Sequence, residues 1–219
     1  MIILIGNQKG GVGKTTIACN LAGMLVNRGK DVILVEADEQ RTASSWVLDR
    51  KEENPDLPKI NSVQKLGDVD DALIDLDSRY EFVVVDAAGR DSRELATALT
   101  VCHVVVIPFR ASKPDLGRLP HMANITKSAK RFNPNMRVVA FLNSAPTNTQ
   151  GVDAELARVA IAQYPDIDLL KTIVHDRRVY RDAIAEGLTV EEMTDKSSST
   201  LAAKSEMISL LEEVLGEAI

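Results

Sequence analysis

Apolar residues along this chain gather in short unbroken runs rather than in strict alternation. Runs at 2–5, 32–35, 82–85, 104–107 and 138–142 lack the polar-every-second-residue pattern of a half-solvated strand. Such runs are what a parallel sheet covered on both faces requires. Stretches of helical period lie between them. One extends from Thr15 to about Arg28 and stops at Gly29, a residue suited to a helix C-terminus. Others cover about Val69–Arg79, Ser92 to just before His103, Leu116–Phe132, Asp153–Gln163, Arg177–Glu186 and Ser199–Leu215. Pro120 fits the long one only in its first turn. The alternation predicts an α/β fold of three layers: a doubly wound, mostly parallel sheet with helices on both faces. No repeat, low-complexity tract or long linker divides the chain, so a single domain over residues 1–219 is expected.

Between the first run and the first helix stands Lys9-Gly10-Gly11-Val12-Gly13-Lys14-Thr15-Thr16. Strand, glycine turn, helix is the context of a phosphate-binding loop. Glycines let backbone N–H groups approach phosphate oxygens without a Cβ in the way. The helix that follows points its partly positive end at the same anion. Lys14 would reach the β- and γ-phosphates, Thr15 would ligate Mg²⁺, and Thr16 would support the α-phosphate. A nucleotide and Mg²⁺ are therefore the expected ligands. The loop's usual first glycine is replaced by Gln8, and a second lysine, Lys9, follows it. Lys9 has two readings: a solvated loop lysine, or a cation reaching the phosphates held by a second copy of the chain. In open sheets of this kind ligands bind at the carboxyl ends of the strands. Asp38 and Asp86 fall at that same edge.

Composition narrows the choices. A hydrophobic content of 45% excludes a disordered chain, and 4% aromatics argues against base stacking as the main grip on single-stranded nucleic acid. Cys19 and Cys102 lie in apolar contexts without metal or disulfide spacing and read as buried small hydrophobes. With no secretory signal and no membrane-length apolar run, a cytoplasmic location without a membrane partner is expected. The net charge of −6 by itself disfavours a nucleic-acid partner, but its distribution does not. Residues 110–137 hold seven basic residues against Asp115, and 171–181 hold four against Asp176. Residues 182–219 hold nine acids against two lysines. Lys127, Lys130 and Arg131 fall on one helical stripe. Arg177, Arg178 and Arg181 open another helix, with Arg178 and Arg181 sharing a face. Two basic stripes suit duplex phosphates without base readout; the alternative is two solvated faces paired with nearby acids.

The glycine loop resembles the deviant phosphate loop of the ParA/MinD group of P-loop ATPases. Val32 to Gln40 resembles that group's switch I strand end, and Phe82 to Gly89 its Walker B strand and switch II. Val104–Pro108 and Val138–Asn143 resemble its next two strands. In length the chain is similar to the small plasmid partition ATPases, the ParF-like subgroup. Two positions depart from the pattern: Glu36 stands for the first Asp of Asp-x-Asp-Pro-Gln, and Glu39 for its Pro. The resemblance implies a P-loop NTPase fold and weak intrinsic ATP hydrolysis. It also implies that Asp86 holds Mg²⁺ through a water and that Asp38 orients the attacking water or senses the γ-phosphate. Asn143 would read adenine. Two other readings stay open: Asp38 as cap of a helix starting near Thr42, and Asn143 as a turn residue before Ser144-Ala145-Pro146. The implied function is DNA partition. ATP builds a homodimer, the dimer binds non-specific duplex DNA and associates with the nucleoid, and a centromere-binding, ParB-like partner stimulates hydrolysis. A MinD-like membrane switch and a cargo-positioning relative are the alternatives. The first needs a basic amphipathic C-terminal helix, whereas Leu201–Ile219 carries Glu206, Glu212, Glu213 and Glu217 against Lys204.

Overall fold

The computed structural model describes residues 1–89, 91–147 and 151–216. The five expected strands are β1 (Ile2–Ile5), β2 (Val32–Ala37), β4 (Phe82–Ala87), β5 (Val104–Phe109) and β6 (Arg137–Ala145). Two more, β3 (Asn61–Gln64) and β7 (Asp168–His175), form the edges. The order is β3-β2-β4-β1-β5-β6-β7, and every pairing is parallel. Alternate residues of β1 feed two cores. Ile3 and Ile5 face the helices α1 (Lys14–Asn27), α2 (Thr42–Glu53), α8 (Arg178–Ala185) and α9 (Ser198–Leu215). Ile2 and Leu4 face α3 (Asp70–Asp77), α4 (Arg93–Leu99), α6 (Leu119–Ala129) and α7 (Val152–Ile161). The sequence therefore folds as a doubly wound three-layer sandwich.

The helix expected over Leu116–Phe132 is broken. A short α5 (Lys113–Leu116) is capped by the Ser112 hydroxyl, and α6 starts afresh with Pro120 in its first turn. Lys130 is the C-cap of α6, and Arg131 lies past its end.

Two acids of the C-terminal helix, Glu213 and Glu206, have structural partners. Glu213 accepts from the backbone N–H groups of Lys171 (2.7 Å) and Thr172 (3.0 Å), and Glu206 from that of His175 (3.2 Å). These carboxylates occupy donors of β7, which would otherwise be an open sheet edge. The apolar face of α9, with Met207, Leu210, Leu211 and Val214, is buried in the core. No helix among the described residues is long and apolar enough to cross a membrane. The α8–α9 connection is bound to α2 by a buried pair: Arg50 donates to both Glu192 oxygens at 2.8 and 2.6 Å.

Candidate nucleotide site

The glycine loop is held from three sides before any ligand arrives. Asn7 accepts the Lys9 N–H at 3.0 Å and donates to the Pro108 carbonyl at 2.8 Å. Arg110 donates to the Gly11 carbonyl at 2.9 Å, and Asn143 donates to the Val12 carbonyl at 2.6 Å. Gly13 is the N-cap of α1 at φ 88°, a left-handed conformation, and supplies no side-chain cap. A Cβ there would stand 2.4 Å from Asn143 Nδ2. Only glycine meets both demands. The uncapped first turn of α1 carries no acid, so its N–H groups remain available to an anion.

Lys14 lies within this loop, its Nζ donating to the Lys9 carbonyl at 3.1 Å. Burial lowers its ammonium below the ordinary lysine value, while Asp86 and Asp38 pull it back up. Asp86, the penultimate residue of β4, lies in register with Ile5 and Glu36, so adjacent strands carry it to the loop. It is 1% exposed, and neither carboxylate oxygen has a hydrogen-bond partner. Burial raises Asp86 to about 7, only partly offset by the Thr15 hydroxyl, which approaches without closing a hydrogen bond of ordinary geometry. Two orphaned carboxylate oxygens beside a threonine hydroxyl suit a hard divalent cation with oxygen ligands. Gly89 closes the site from above: a Cβ there would meet Gly10 Cα at 2.8 Å and Lys14 Nζ at 3.0 Å.

Glu36 and Asp38 divide tasks differently from the sequence reading. The buried Glu36 accepts the Ser44 N–H at 2.8 Å, within the first turn of α2, whose N-cap Arg41 offers no side-chain cap. Burial raises the Glu36 carboxyl, opposed by the Ser44 and Ala43 N–H groups. The capping role considered for Asp38 thus falls to Glu36. Asp38 folds its own loop instead, accepting the Gln40 N–H at 3.0 Å. It stays part-exposed near Lys14.

A pocket of about 300 Å³ opens beside the loop, between Gly11, Gly13 and Thr16 on one wall and His175, Asp176 and Tyr180 on the other. This is nucleoside-sized space. Asn143 and Ser144 form its floor; Asn143 lies inside β6, not in a turn. The second wall was not expected from the sequence. Its polar groups converge on Glu206, which accepts from His175 Nδ1 (2.8 Å), Arg177 Nη2 (2.8 Å) and Tyr180 Oη (3.0 Å).

Lys9 does not point into solvent. Its Nζ pairs with Asp115 Oδ2 at 2.7 Å, and Ser112 donates to the same oxygen. Asp115 is 1% exposed in its side chain, and its other oxygen has no partner. Ser112 and Asp115 share the first turn of α5, which brings this acid to Lys9.

The basic surface needs correction. Arg177 is not on it: two of its nitrogens bond Glu206, and its side chain is 15% exposed. Arg178 and Arg181 are exposed at the nucleotide edge, in surface pairs with Asp182 and Asp176. Lys127, Lys130 and Arg131 precede β6 and lie at the opposite edge of the sheet. The two stripes cannot form one face beside the nucleotide.

Comparison with known proteins agrees with this architecture. The sequence profile described as "CobQ/CobB/MinD/ParA nucleotide binding domain" matches residues 3–190. Maintenance of carboxysome distribution protein A of Halothiobacillus neapolitanus is 29% identical over 221 residues, 97% of this chain and 95% of its own. The chromosome-partitioning ATPase Soj of Thermus thermophilus is 31% identical over 169 residues, 64% of this chain and 67% of its own. The crystal structure of the cell division ATPase MinD of Pyrococcus furiosus superposes with a TM-score of 0.76 at 16% identity, covering 99% of this chain and 98% of that one. With its glycine loop, its buried Asp86 carboxylate and this match over most of its length, the chain belongs to the CobQ/CobB/MinD/ParA family of nucleotide-binding proteins.

Proposed function

We propose that this chain is an ATP-driven positioning ATPase of the ParA type, working in DNA partition. In this reading ATP binds in the glycine loop and joins two copies, and the dimer holds non-specific duplex DNA. A centromere-binding, ParB-like partner stimulates hydrolysis and releases it. The observation that carries the reading is the convergence of Lys14 and the orphaned Asp86 on one uncapped helix start.

Lys14 and the first-turn N–H groups of α1 hold the phosphates. Thr15 and Asp86 are the residues that would hold Mg²⁺, which when bound neutralises charge on the β- and γ-phosphates. Asp38, part-exposed and near enough to act on the Lys14 charge, would orient the attacking water. Asn143 supports the loop through Val12 and floors the nucleoside pocket, where it would meet the base. Lys9 must leave Asp115 to reach a phosphate in the second copy. That exchange makes pairing depend on nucleotide. Arg178 and Arg181 lie in weak exposed pairs, which duplex phosphates could replace at little cost.

A second reading has its own support. The carboxysome-distribution relative matches 97% of the chain, whereas Soj matches 64%. A cargo-positioning role would use the same switch with a protein body in place of a replicon. Co-sedimentation with duplex DNA in ATP, in ADP and without nucleotide tests the shared core. Retention only with ATP is expected; equal retention in all three would refute the switch.

A further inference from the structure

The cations around the glycine loop are matched by acids, with one exception. Lys9 pairs with Asp115, Arg177 with Glu206 and Arg181 with Asp176, and Lys14 lies in the field of Asp86 and Asp38. Arg110 has no such partner. It is the first residue past β5, whose Phe109 stands in register with Leu142 of β6, so it reaches the nucleotide edge at the level of Asn143. It is exposed, and it lines the same pocket as Gly11, Gly13 and Thr16. Its one hydrogen bond among the described residues runs from Nη2 to the neutral Gly11 carbonyl. We infer that Arg110 is a phosphate ligand: its guanidinium anchors the α-phosphate end of the bound chain and so grips nucleoside diphosphate and triphosphate alike.

The inference rests on the nucleotide reading above and assigns a residue to it that the glycine loop does not contain. A guanidinium carries five donors in a planar fork that fits phosphate oxygens, and one hydrogen bond to Gly11 leaves most of them unused. Bracing a carbonyl needs only a neutral donor, which is what Asn143 supplies to Val12 next door. The charge of Arg110 has a use only if an anion enters. Asp176, the one carboxylate lining this pocket among the described residues, is already held by Arg181 at 3.0 Å. An entering anion therefore meets a cation that gives up no ion pair to receive it. The place along the chain of phosphates follows from the walls. Gly13 and Thr16 border this pocket, whereas Lys14, Thr15 and Asp86, the β/γ and metal side of the site, do not. A ligand to the α-phosphate does not distinguish substrate from product. Discrimination is left to Lys14, the metal and the second copy, and the diphosphate stays held after hydrolysis until it dissociates in a step of its own.

Calorimetric titration of ATP and of ADP in Mg²⁺ against wild type, Arg110→Met, Arg110→Gln and Arg110→Lys tests this. Thermal midpoints without ligand are taken first; Arg110 is exposed, so the variants should keep the wild-type value. Arg110→Met should weaken ATP and ADP by the same factor, about tenfold or more, as for a lost hydrogen bond to a charged group. Arg110→Lys keeps the charge and should recover part of the loss. Arg110→Gln keeps a neutral donor for Gly11 and should not. In steady-state hydrolysis KM and the inhibition constant for ADP should rise together. Wild-type affinity in Arg110→Met would overturn the inference, as would full recovery by Arg110→Gln, which would make the residue a loop brace. A loss confined to ATP would move the contact to the γ-phosphate and equally overturn it. These failures leave nucleotide binding by the wild type intact; a wild-type chain that takes up neither nucleotide refutes the nucleotide reading itself, and this inference with it.

Discussion

Converting Asp115 to Asn should tighten the nucleotide-dependent dimer. In the structure Lys9 is held within its own chain by a 2.7 Å pair with Asp115, one partner part-exposed and the other buried. A pair of that exposure is worth about 1 kcal/mol, the upper end of the range for partly solvated ion pairs. Each copy must break one such pair to offer Lys9 across the interface, so a dimer breaks two. Removing the charge should therefore favour the dimer by about 2 kcal/mol, or roughly thirtyfold in its dissociation constant. The figure is a floor. Once Lys9 departs, wild-type Asp115 is left buried with one oxygen already unpartnered, a further cost that Asn avoids. Sedimentation velocity over a concentration series, with a slowly hydrolysed ATP analogue and Mg²⁺, reads the constant directly. Lys9→Ala in the same assay should bind nucleotide and stay monomeric. If Asp115→Asn and wild type dimerise equally while binding nucleotide equally, Asp115 does not restrain Lys9. If Lys9→Ala dimerises normally, the cross-subunit role of Lys9 is wrong.

Gly13→Ala should damage loop and stability together. The residue sits at φ 88°, and the new methyl would displace the Asn143 amide from Val12. Left-handed strain of about 1–2 kcal/mol and a lost hydrogen bond of about 1 kcal/mol add up to a visible fall in the denaturation midpoint; an unchanged midpoint would contradict the geometry. Acid should loosen the link between α2 and the α8–α9 connection. Burial alone would raise Glu192, but hydrogen bonds from Arg50, the Thr189 N–H and Asn27 outweigh it and lower its carboxyl. A lowered folded-state value means stability that is present above the ordinary glutamate value of about 4.3 and lost as pH falls through the folded one. Urea midpoints from neutral pH downward should fall more steeply in wild type than in Glu192→Gln; parallel profiles would refute this. Arg50→Met leaves the buried Glu192 charge with only Asn27 and the Thr189 N–H and should cost about 3 kcal/mol by the same denaturation assay.

The interior of the sheet was legible because β1, β2, β4, β5 and β6 are buried on both faces and so write continuous apolar runs. The edge strands were not. In β3 the first two residues are exposed, and β7 buries only alternate residues at its end, so neither produces a run. Helix α2 lacked a local start signal because its first turn is capped by Glu36, several residues earlier and across a loop. The glycine loop was readable since its chemistry is contiguous. The opposite wall of the pocket was not: His175 and Tyr180 adjoin the loop only after the strands are ordered. Arg177 read as a surface charge because its counterion, Glu206, lies 29 residues downstream. Lys9 read as free for the same reason, its partner being 106 residues away.

Calorimetric titration of ATP in Mg²⁺ against the wild-type chain and Lys14→Ala addresses the central claim most directly. The account predicts saturable heat for the wild type and its near-complete loss in the variant, whose fold should be retained. Absence of heat with the wild-type chain, or equal heats from both proteins, would contradict a phosphate grip centred on Lys14.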